Sequence, residues 1–392
     1  MNDFSLKISI ISDLHCHHSS TKEKETYLTS DMLRSPVNDH PVESLIKLIE
    51  KDQLSTDLTL CPGDFTNRSD QQGFISSWDF VNEIHNCLKG KDLIATLGNH
   101  DVDSHEKISN YNLEVAKGIK KDFPLKNDGD RDTLWSKGCV FVESENFRIL
   151  VINSAHFHYN KEHAVGGKVD SNLLDYVEEY LNEINDDKIF IALSHHHPTN
   201  HSRLGLGEHD IIVNGTELLE LLGKHSCDLF IHGHKHDAFL RYHNLTESNG
   251  RIPILSSGSF SATSNTIYTG RRNHFHMIDI EKKNKVCYGR ITTWTFMPKN
   301  GWKLMHDDGG FDTYTGFGCN KNIQEIASDI ISVVGKSVTY KWEDITTKLP
   351  EVNYLIPIEA EKLTNLLKSQ GFLIAPPLSQ SPTIISNVKA VI

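Results

Sequence analysis

The stretch LKISIISDLH, residues 6–15, joins a short apolar run to two polar side chains of types that bind metals in proteins. Its first part, LKISIIS (6–12), predicts a buried β-strand, because it is brief and rich in β-branched residues. Asp13 and His15 follow this strand directly. The wider stretch ISDLHCHH (11–18) is rich in histidine, but such a run alone indicates metal binding only weakly. Its meaning therefore depends on what the other strands of the chain carry.

Four further predicted strands also end in metal-competent side chains. They are DLTLC (57–61) before Asp64, DLIATL (92–97) before GNHD (98–101), KIFIALS (188–194) before HHHP (195–198), and DLFIH (228–232) before GHKH (233–236). Stretches with helical period separate the strands, at 41–54, 74–88, 171–184 and 215–225. This alternation predicts a layered α/β fold, and ligands of such folds bind beyond the carboxyl ends of the strands. We therefore expect the five strand ends to meet in one crevice.

The side chains at these strand ends are carboxylates, a carboxamide and imidazoles. This mixed oxygen and nitrogen set suits Mn²⁺, Fe or Zn²⁺ better than Ca²⁺. The seven cysteines have no CxxC spacing and are odd in number, which excludes a complete disulfide framework and the usual zinc-finger pattern. There are more candidate ligands than one ion needs. Two ions about 3.5–4 Å apart, bridged by a carboxylate, would use them and favour in-line displacement at phosphorus.

Length and charge narrow the class of protein. A chain of 392 residues can bury a large core and predicts about two domains. Its formal net charge of -12 argues against a dedicated nucleic-acid binder, whose affinity rests on neutralising phosphates. No signal-peptide pattern and no apolar run of membrane-spanning length is present, so we expect a cytoplasmic protein without a membrane partner.

The ordered motifs D-x-H (13–15), G-D (63–64), G-N-H-D (98–101), H-x-P (196–198) and G-H-x-H (233–236) resemble those of the calcineurin-like metallophosphoesterase superfamily. The resemblance spans roughly residues 5–295 and implies a layered β-sandwich flanked by helices. It also implies two divalent ions. One would take Asp13, His15, Asp64 and His236, and the other would take Asp64, Asn99, His196 and His234. His100 would act as general acid for the leaving oxygen or as transition-state stabiliser, and Asp101 would orient its imidazole.

A narrower resemblance concerns the substrate. The stretches GDFTNRSDQQGF (63–74), GSF (258–260) and HFHMIDI (274–280) are similar to the bacterial class III cyclic-nucleotide phosphodiesterases. That group often has an acidic residue where Asn67 or Arg68 stands here. The resemblance implies hydrolysis of a phosphodiester by metal-bound hydroxide, with a nucleotide as the small-molecule substrate. His195, His197 and Arg203 are predicted contacts of this substrate.

Two alternatives stay open for the same motifs. A nuclease or a phosphomonoesterase would use the same metal centre, although the acidic balance of the chain makes nucleic acid an unexpected substrate. A non-catalytic scaffold that binds proteins is the other class, and it is disfavoured because every ligand position holds a competent side chain.

The motifs stop near residue 300. We therefore predict a catalytic domain over residues 1–300, a linker or extended loop over 301–320, and a small, mainly helical accessory domain over 321–392. Three segments of helical period followed by FLI (372–374) loosely resemble a winged helix. From residue 301 onward there are eight lysines, no arginine and ten acidic residues, which argues against duplex binding. A protein partner or a second copy of the chain is the expected contact of this unit.

Overall fold

The computed structural model describes residues 3–18, 25–31, 34–104, 109–119, 122–160, 164, 166–201, 210–246, 248–263, 271–305 and 311–391. The strands are β1 Phe4–Ile10, β2 Leu58–Cys61, β3 Asp92–Ala95, β4 Cys139–Glu143, β5 Phe147–Ile152, β6 Ile189–Leu193, β7 Leu229–His232, β8 Phe239–Asn244, β9 Arg251–Ser256, β10 His274–Lys283, β11 Val286–Met297, β12 Gly301–Lys303, β13 Tyr314–Phe317, β14 Thr339–Lys341, β15 Phe372–Ala375 and β16 Ile384–Asn387. The helices are α1 Pro41–Asp52, α2 Gln71–Cys87, α3 Glu114–Lys117, α4 Asp128–Lys137, α5 Ser171–Asn182, α6 Gly215–Lys224, α7 Ile323–Val334, α8 Trp342–Lys348 and α9 Pro357–Ser369.

Two mixed sheets form the body of the protein. The first has the order β12-β11-β10-β1-β2-β3, with β13 also paired to β11, and the second has the order β4-β5-β6-β7-β9-β8. Within the first sheet β1, β2 and β3 run parallel, and within the second β5, β6, β7 and β9 run parallel. The strands that carry the predicted site motifs are thus parallel to one another within each sheet, and each set ends at one edge of its sheet.

Apolar side chains hold four layers together. Ile8 and Leu60 of the first sheet share one core with Ile191 and Ile231 of the second, so the two sheets pack face to face. Helices α1 and α2 cover the outer face of the first sheet, where they bury Leu45, Phe74 and Trp78 among others. Helices α5 and α6 cover the outer face of the second sheet. The predicted fold, a layered β-sandwich flanked by helices, is confirmed.

Helix starts agree with local capping chemistry. The side chain of Asp70 accepts a hydrogen bond from the backbone N–H of Gly73 at the start of α2, at 2.7 Å. Asp170 does the same for Leu173 at the start of α5, at 2.9 Å. A side-chain oxygen at this position satisfies a backbone donor that the helix itself leaves unpaired. These caps fix where the helices begin and therefore how the preceding site loops enter them.

The C-terminal unit has its own core and a three-stranded sheet. Helices α7, α8 and α9 pack around Ile330, Trp342 and Leu363, and the sheet has the order β14-β16-β15. The element order, with one strand between the first two helices and a hairpin after the third, is that of a winged helix-turn-helix. The unit is therefore helical as expected, with a sheet in addition.

The predicted linker over 301–320 is in part regular structure. Strands β12 and β13 lie within it, and both pair with β11 of the first sheet. The C-terminal unit is also held to the second sheet by an ion pair between Arg251 and Glu359 at 2.9 Å. The linker is held there too, because the hydroxyl of Tyr242 accepts the backbone N–H of Gly318 at 2.8 Å. Extended pairing of this kind fixes the chain on the sheet edge. Among the described residues, no helix combines the length and apolar character needed to cross a membrane.

Candidate metal centre

The strand ends meet at one edge of the sandwich, where two groups of ligand-competent side chains lie side by side. The first group is Asp13, His15, Asp64 and His236, and the second is His195, His196 and His234. Asp13, Asp64, His195 and His196 are buried with at most 1% of their surface exposed. Carboxylates and imidazoles are rarely buried together at such density without a function that uses them.

The first group has the spacing of a coordination sphere. The Nε2 atoms of His15 and His236 are 2.8 Å apart. Oδ1 of Asp13 lies 3.3 Å from Nε2 of His236, and Oδ2 of Asp64 lies 3.5 Å from Nε2 of His15. Ligand atoms that share an ion at about 2.1 Å are themselves roughly 3.0–3.5 Å apart. The donor set of two carboxylates and two imidazoles therefore fits one divalent ion.

A second set of donors with the same spacing begins at the same Asp64 oxygen. Oδ2 of Asp64 lies 3.3 Å from Nε2 of His195. The amide oxygen of Asn99 lies 3.1 Å from Nε2 of His195 and 3.0 Å from Nδ1 of His234. These two ring nitrogens are 3.2 Å apart. One carboxylate oxygen thus faces both donor sets, as a bridging ligand does.

The structure sets His195 rather than His196 against Asp64, whereas the resemblance implied His196 as the ligand. His195, predicted to contact substrate, lies among Asp64, Asn99 and His234, and its Nδ1 lies 3.1 Å from the carbonyl oxygen of Pro62. Because that carbonyl can only accept, it holds a proton on Nδ1, so that Nε2 is the nitrogen that would bind an ion. Successive side chains after a strand point in different directions, so only one of the neighbouring rings can take this place.

His196, predicted as a ligand, turns toward Ser154 instead. Its Nδ1 lies 2.8 Å from the Ser154 hydroxyl. Its Nε2 is buried and has no hydrogen-bond partner in the part of the chain that the structure describes. This nitrogen still belongs to the group with His195 and His234. A buried ring nitrogen without a partner is costly, and an ion bound by this group would supply one. His196 therefore stays within reach of an ion, beside His195 and His234.

The backbone at the site is strained where it presents the ligands. Asp13, His15, Asp64, His234 and His236 all have positive φ, between 50° and 75°. Such conformations are unfavourable for residues with a Cβ by about 1–2 kcal/mol each, and they concentrate at functional sites. The tight turns also need glycine. A Cβ on Gly98 would lie 2.0 Å from Oδ1 of Asp64, and one on Gly233 would lie 2.4 Å from Oδ2 of Asp13.

Asp101 does not contact the His100 imidazole through any bond that the structure shows. Its carboxylate accepts three backbone N–H groups instead, from Asp64 at 2.8 Å, Gly98 at 2.9 Å and Thr66 at 3.0 Å. Nδ1 of His100 lies 3.1 Å from the amide oxygen of Asn67. The expected orienting role of Asp101 therefore differs from its observed contacts. Asp101 joins two ligand loops, and Asn67 is the side chain that meets the imidazole.

Asp210 is a site residue that the sequence motifs do not include. Its Oδ2 lies 2.9 Å from Nε2 of His234, the nitrogen opposite the one that faces Asn99. Its Oδ1 lies 3.5 Å from Nε2 of His197, and it also contacts the ammonium group of Lys235. His197, predicted as a substrate contact, is fully buried behind His234 rather than open to a substrate. Arg203 lies outside the described residues.

Charges within the site move several pKa values. Burial raises the pKa of Asp64, but the imidazoles of His195, His100 and His15 outweigh burial and hold this pKa well below its ordinary value. Burial lowers the pKa of His100 to about 3. For His195 burial also lowers the pKa, yet the facing Asp64 carboxylate outweighs it and raises the pKa to about 9. Negative charge is thus concentrated on Asp64, between the two donor sets.

Comparisons with known proteins give both a family and more distant structures. The calcineurin-like phosphoesterase model matches residues 6–238, and the model described as wHTH-Calcineurin_assc matches residues 315–369. No curated protein sequence matches. Purple acid phosphatase PPD1 from yellow lupin seeds is 15% identical over 80% of this chain, with a TM-score of 0.47, and this chain spans 54% of its length.

Two other solved structures are similar over most of this chain. GAP50, the anchor in the inner membrane complex of Plasmodium, is 11% identical, with 78% of this chain and 91% of that one covered and a TM-score of 0.37. A metallophosphoesterase from Sphaerobacter thermophilus is 14% identical, with 70% and 84% covered and a TM-score of 0.28. The phosphoesterase model alone covers more than half of the residues, and the chain belongs to the calcineurin-like phosphoesterase family.

Proposed function

We propose that the protein is a two-metal phosphodiesterase, with a cyclic nucleotide as its first candidate substrate. One observation carries the metal part of this proposal. Oδ2 of Asp64 lies 3.5 Å from Nε2 of His15 in one donor set and 3.3 Å from Nε2 of His195 in the other. A carboxylate that faces two such sets is the arrangement of a bridged pair of ions.

We assign the ligands from these distances. Asp13, His15, Asp64 and His236 would hold one ion, and Asp64, Asn99, His195 and His234 would hold the other. This assignment places His195 in the role that the resemblance gives to His196. Mn²⁺, Fe and Zn²⁺ all suit the donors. When bound, two such ions lower the pKa of water and neutralise charge on phosphoryl oxygens.

His100 is the side chain placed to handle the leaving oxygen. Its ring centroid lies 4.6 Å from that of His15, so it stands at the border of the first donor set without belonging to it. Burial lowers its pKa to about 3. From this place beside the donor sets, His100 would donate a proton to the leaving oxygen as that oxygen departs.

The choice of a diester over a monoester rests on the motif resemblance, and the acidic balance of the chain disfavours a nuclease. The first experiment strips the protein with EDTA and restores it with Mn²⁺. Hydrolysis of bis-p-nitrophenyl phosphate is then compared with hydrolysis of p-nitrophenyl phosphate, for the wild type, Asp64→Asn and His100→Ala. Asp170→Asn is the control, because asparagine also caps a helix and Asp170 lies at the start of α5.

We expect metal-dependent diester cleavage that Asp64→Asn and His100→Ala abolish and Asp170→Asn retains. Preference for the monoester would assign a phosphatase instead. Absence of turnover on both esters with Mn²⁺, Fe or Zn²⁺, in protein that binds metal stoichiometrically, would favour a scaffold. Metal content of His195→Ala and His196→Ala tests the ligand assignment separately. His195→Ala should lose about one ion per chain, and an equal loss in His196→Ala alone would reverse the assignment.

A further inference from the structure

The His100 imidazole is held by a chain of two side chains, and the second of them is Glu25. Nδ1 of His100 lies 3.1 Å from Oδ1 of Asn67. Nδ2 of Asn67 donates to Oε2 of Glu25 at 2.8 Å. Asn67 is buried, with 4% of its surface exposed, so these contacts exclude most of the water that would otherwise compete. Glu25 lies 42 residues before Asn67 in sequence and belongs to none of the metallophosphoesterase motifs.

The contact with Glu25 decides which way the Asn67 amide points. An ionised carboxylate only accepts hydrogen bonds, so the nitrogen of the amide must face Glu25 and its oxygen must face His100. That oxygen also only accepts, and it therefore requires a proton on Nδ1 of His100. The backbone N–H of Arg68 lies 3.3 Å from the same Nδ1 and would favour the opposite tautomer. The Asn67 contact is shorter and cannot turn without breaking the Glu25 bond, so the Nδ1–H form prevails.

Glu25 is itself fixed in place. Its other oxygen, Oε1, accepts from the Arg68 guanidinium at 2.8 Å, and its backbone carbonyl accepts the N–H of Thr263 at 2.8 Å. The next residue, Thr26, donates from its hydroxyl to the carbonyl of Leu14, between the two metal-competent residues of the first motif. One carboxylate oxygen thus accepts from Arg68 and the other, Oε2, accepts from Asn67.

We propose that Glu25 is a positioning residue for His100, and that it acts by fixing the orientation of the Asn67 amide. The inference rests on the proposed function, since it assumes that His100 serves the leaving oxygen. With Nδ1–H bonded to Asn67, a proton for the leaving oxygen can reside only on Nε2. Without Glu25 the amide can turn and present its own N–H to Nδ1. The protonated His100 ring then loses the acceptor that the Asn67 oxygen gives its Nδ1–H. The neutral ring takes the tautomer with its proton on Nε2.

The kinetic test compares diesters whose leaving groups need different degrees of protonation. Bis-p-nitrophenyl phosphate releases a stable phenolate, whereas diphenyl phosphate releases a more basic one that depends on a proton donor. Glu25→Gln should lower kcat for both esters and lower the ratio of diphenyl to bis-p-nitrophenyl turnover by about tenfold, within the range of general acid catalysis. KM for each ester, metal content and the unfolding midpoint should change little.

A double variant supplies the rescue. Asn67→Asp combined with Glu25→Gln exchanges the amide and the carboxylate, so that the pair still bonds and the acceptor toward His100 is restored. It should return the ratio to within about threefold of the wild type, whereas Asn67→Asp alone places two carboxylates at 2.8 Å and should not. A ratio that Glu25→Gln leaves unchanged, or a parallel loss of both activities together with metal, would overturn the proposal.

A second readout does not depend on activity. Long-range ¹H–¹⁵N NMR of the metal-free protein reports the tautomer of each neutral imidazole, and the His100 signals are assigned by their absence in His100→Gln. Wild type should have the proton on Nδ1, and Glu25→Ala should move it to Nε2. If Nδ1 is unprotonated in the wild type, the proposal fails even where the enzyme is active. If the tautomer shifts as expected but no ester is cleaved, the proposed function fails and the role of Glu25 in orienting His100 stands.

Discussion

Substitution of Asp210 by asparagine should weaken the second metal site and leave the first intact. Oδ2 of Asp210 lies 2.9 Å from Nε2 of His234 and accepts its proton, which directs the Nδ1 lone pair toward Asn99 and His195. An asparagine side chain can keep a neutral hydrogen bond there, but it supplies no negative charge. Nδ1 of His234 then becomes a weaker ligand, because the ring loses the basicity that a carboxylate partner gives it.

The expected magnitude follows from the position of this contact. Partners of metal-bound histidines typically contribute 10-fold to 100-fold in metal affinity, or about 1.4–2.7 kcal/mol. Asp210 touches His234, His197 and Lys235. No contact that the structure records joins it to the donors of the first set, so the loss should be confined to one ion of the two.

Competition with a chromophoric chelator measures the two dissociation constants for Zn²⁺ separately. Asp210→Asn should raise one of the two dissociation constants by about 10-fold to 100-fold and change the other by less than about threefold. Lys235→Met is the matched control, because it removes the ammonium contact of Asp210 and keeps the carboxylate on His234. Equal weakening of both ions, or wild-type affinity for both, would refute the assignment of Asp210 to His234.

Three further predictions concern stability. Asp101→Ala leaves three buried N–H groups unpaired and should lower the free energy of unfolding by about 3–6 kcal/mol in urea titrations. If the variant instead lost activity at unchanged stability, Asp101 would be assigned to orienting the His100 imidazole after all. Phe65 follows Asp64 directly and lies at the centre of an aromatic cluster. Phe65→Ala should therefore lower the free energy of unfolding by about 3–5 kcal/mol and weaken metal binding, and Phe65→Leu should lower it by less than half as much. Burial lowers the pKa of His276 to about 4, below its ordinary 6.5, so the unfolded chain binds a proton that the folded one excludes. Stability should therefore fall by up to about 3 kcal/mol between pH 6.5 and 4, and His276→Gln should flatten this part of the profile.

The fold could be predicted because its strands carry their signals locally. Each short apolar run, such as LKISIIS or KIFIALS, is buried over most of its length and is followed at once by polar residues. The parallel arrangement then implies that these ends meet. The two strands within 301–320 were not predictable in this way, because β12 and β13 are only three and four residues long and exist by pairing with β11.

The candidate site could be predicted as a set of loops but not as a set of bonds. Three consecutive histidines follow β6, and only the turn of the backbone decides that His195 and not His196 faces Asp64. The partners of His100 and His234 come from segments with no motif. Glu25 and Asp210 are ordinary acidic residues in sequence, and what distinguishes them is a contact across 42 and 24 residues of chain.

Backbone strain and buried charge are distributed differently in the strand interiors and at the strand ends, which indicates that the interiors stabilise the fold and the ends carry the function. The strand interiors form an apolar core between the sheets, since residues such as Ile8, Leu60, Ile191 and Ile231 are fully buried. Just beyond the strand ends the chain departs from this pattern, with left-handed backbone at Asp13 and Asp64 and two carboxylates in a buried position. Each departure costs free energy that apolar residues there would not. Left-handed residues also occur in exposed turns, at Asn284 and Lys285 for example. Beyond the ends of the parallel strands they coincide with buried carboxylates, and this coincidence indicates one function that requires both.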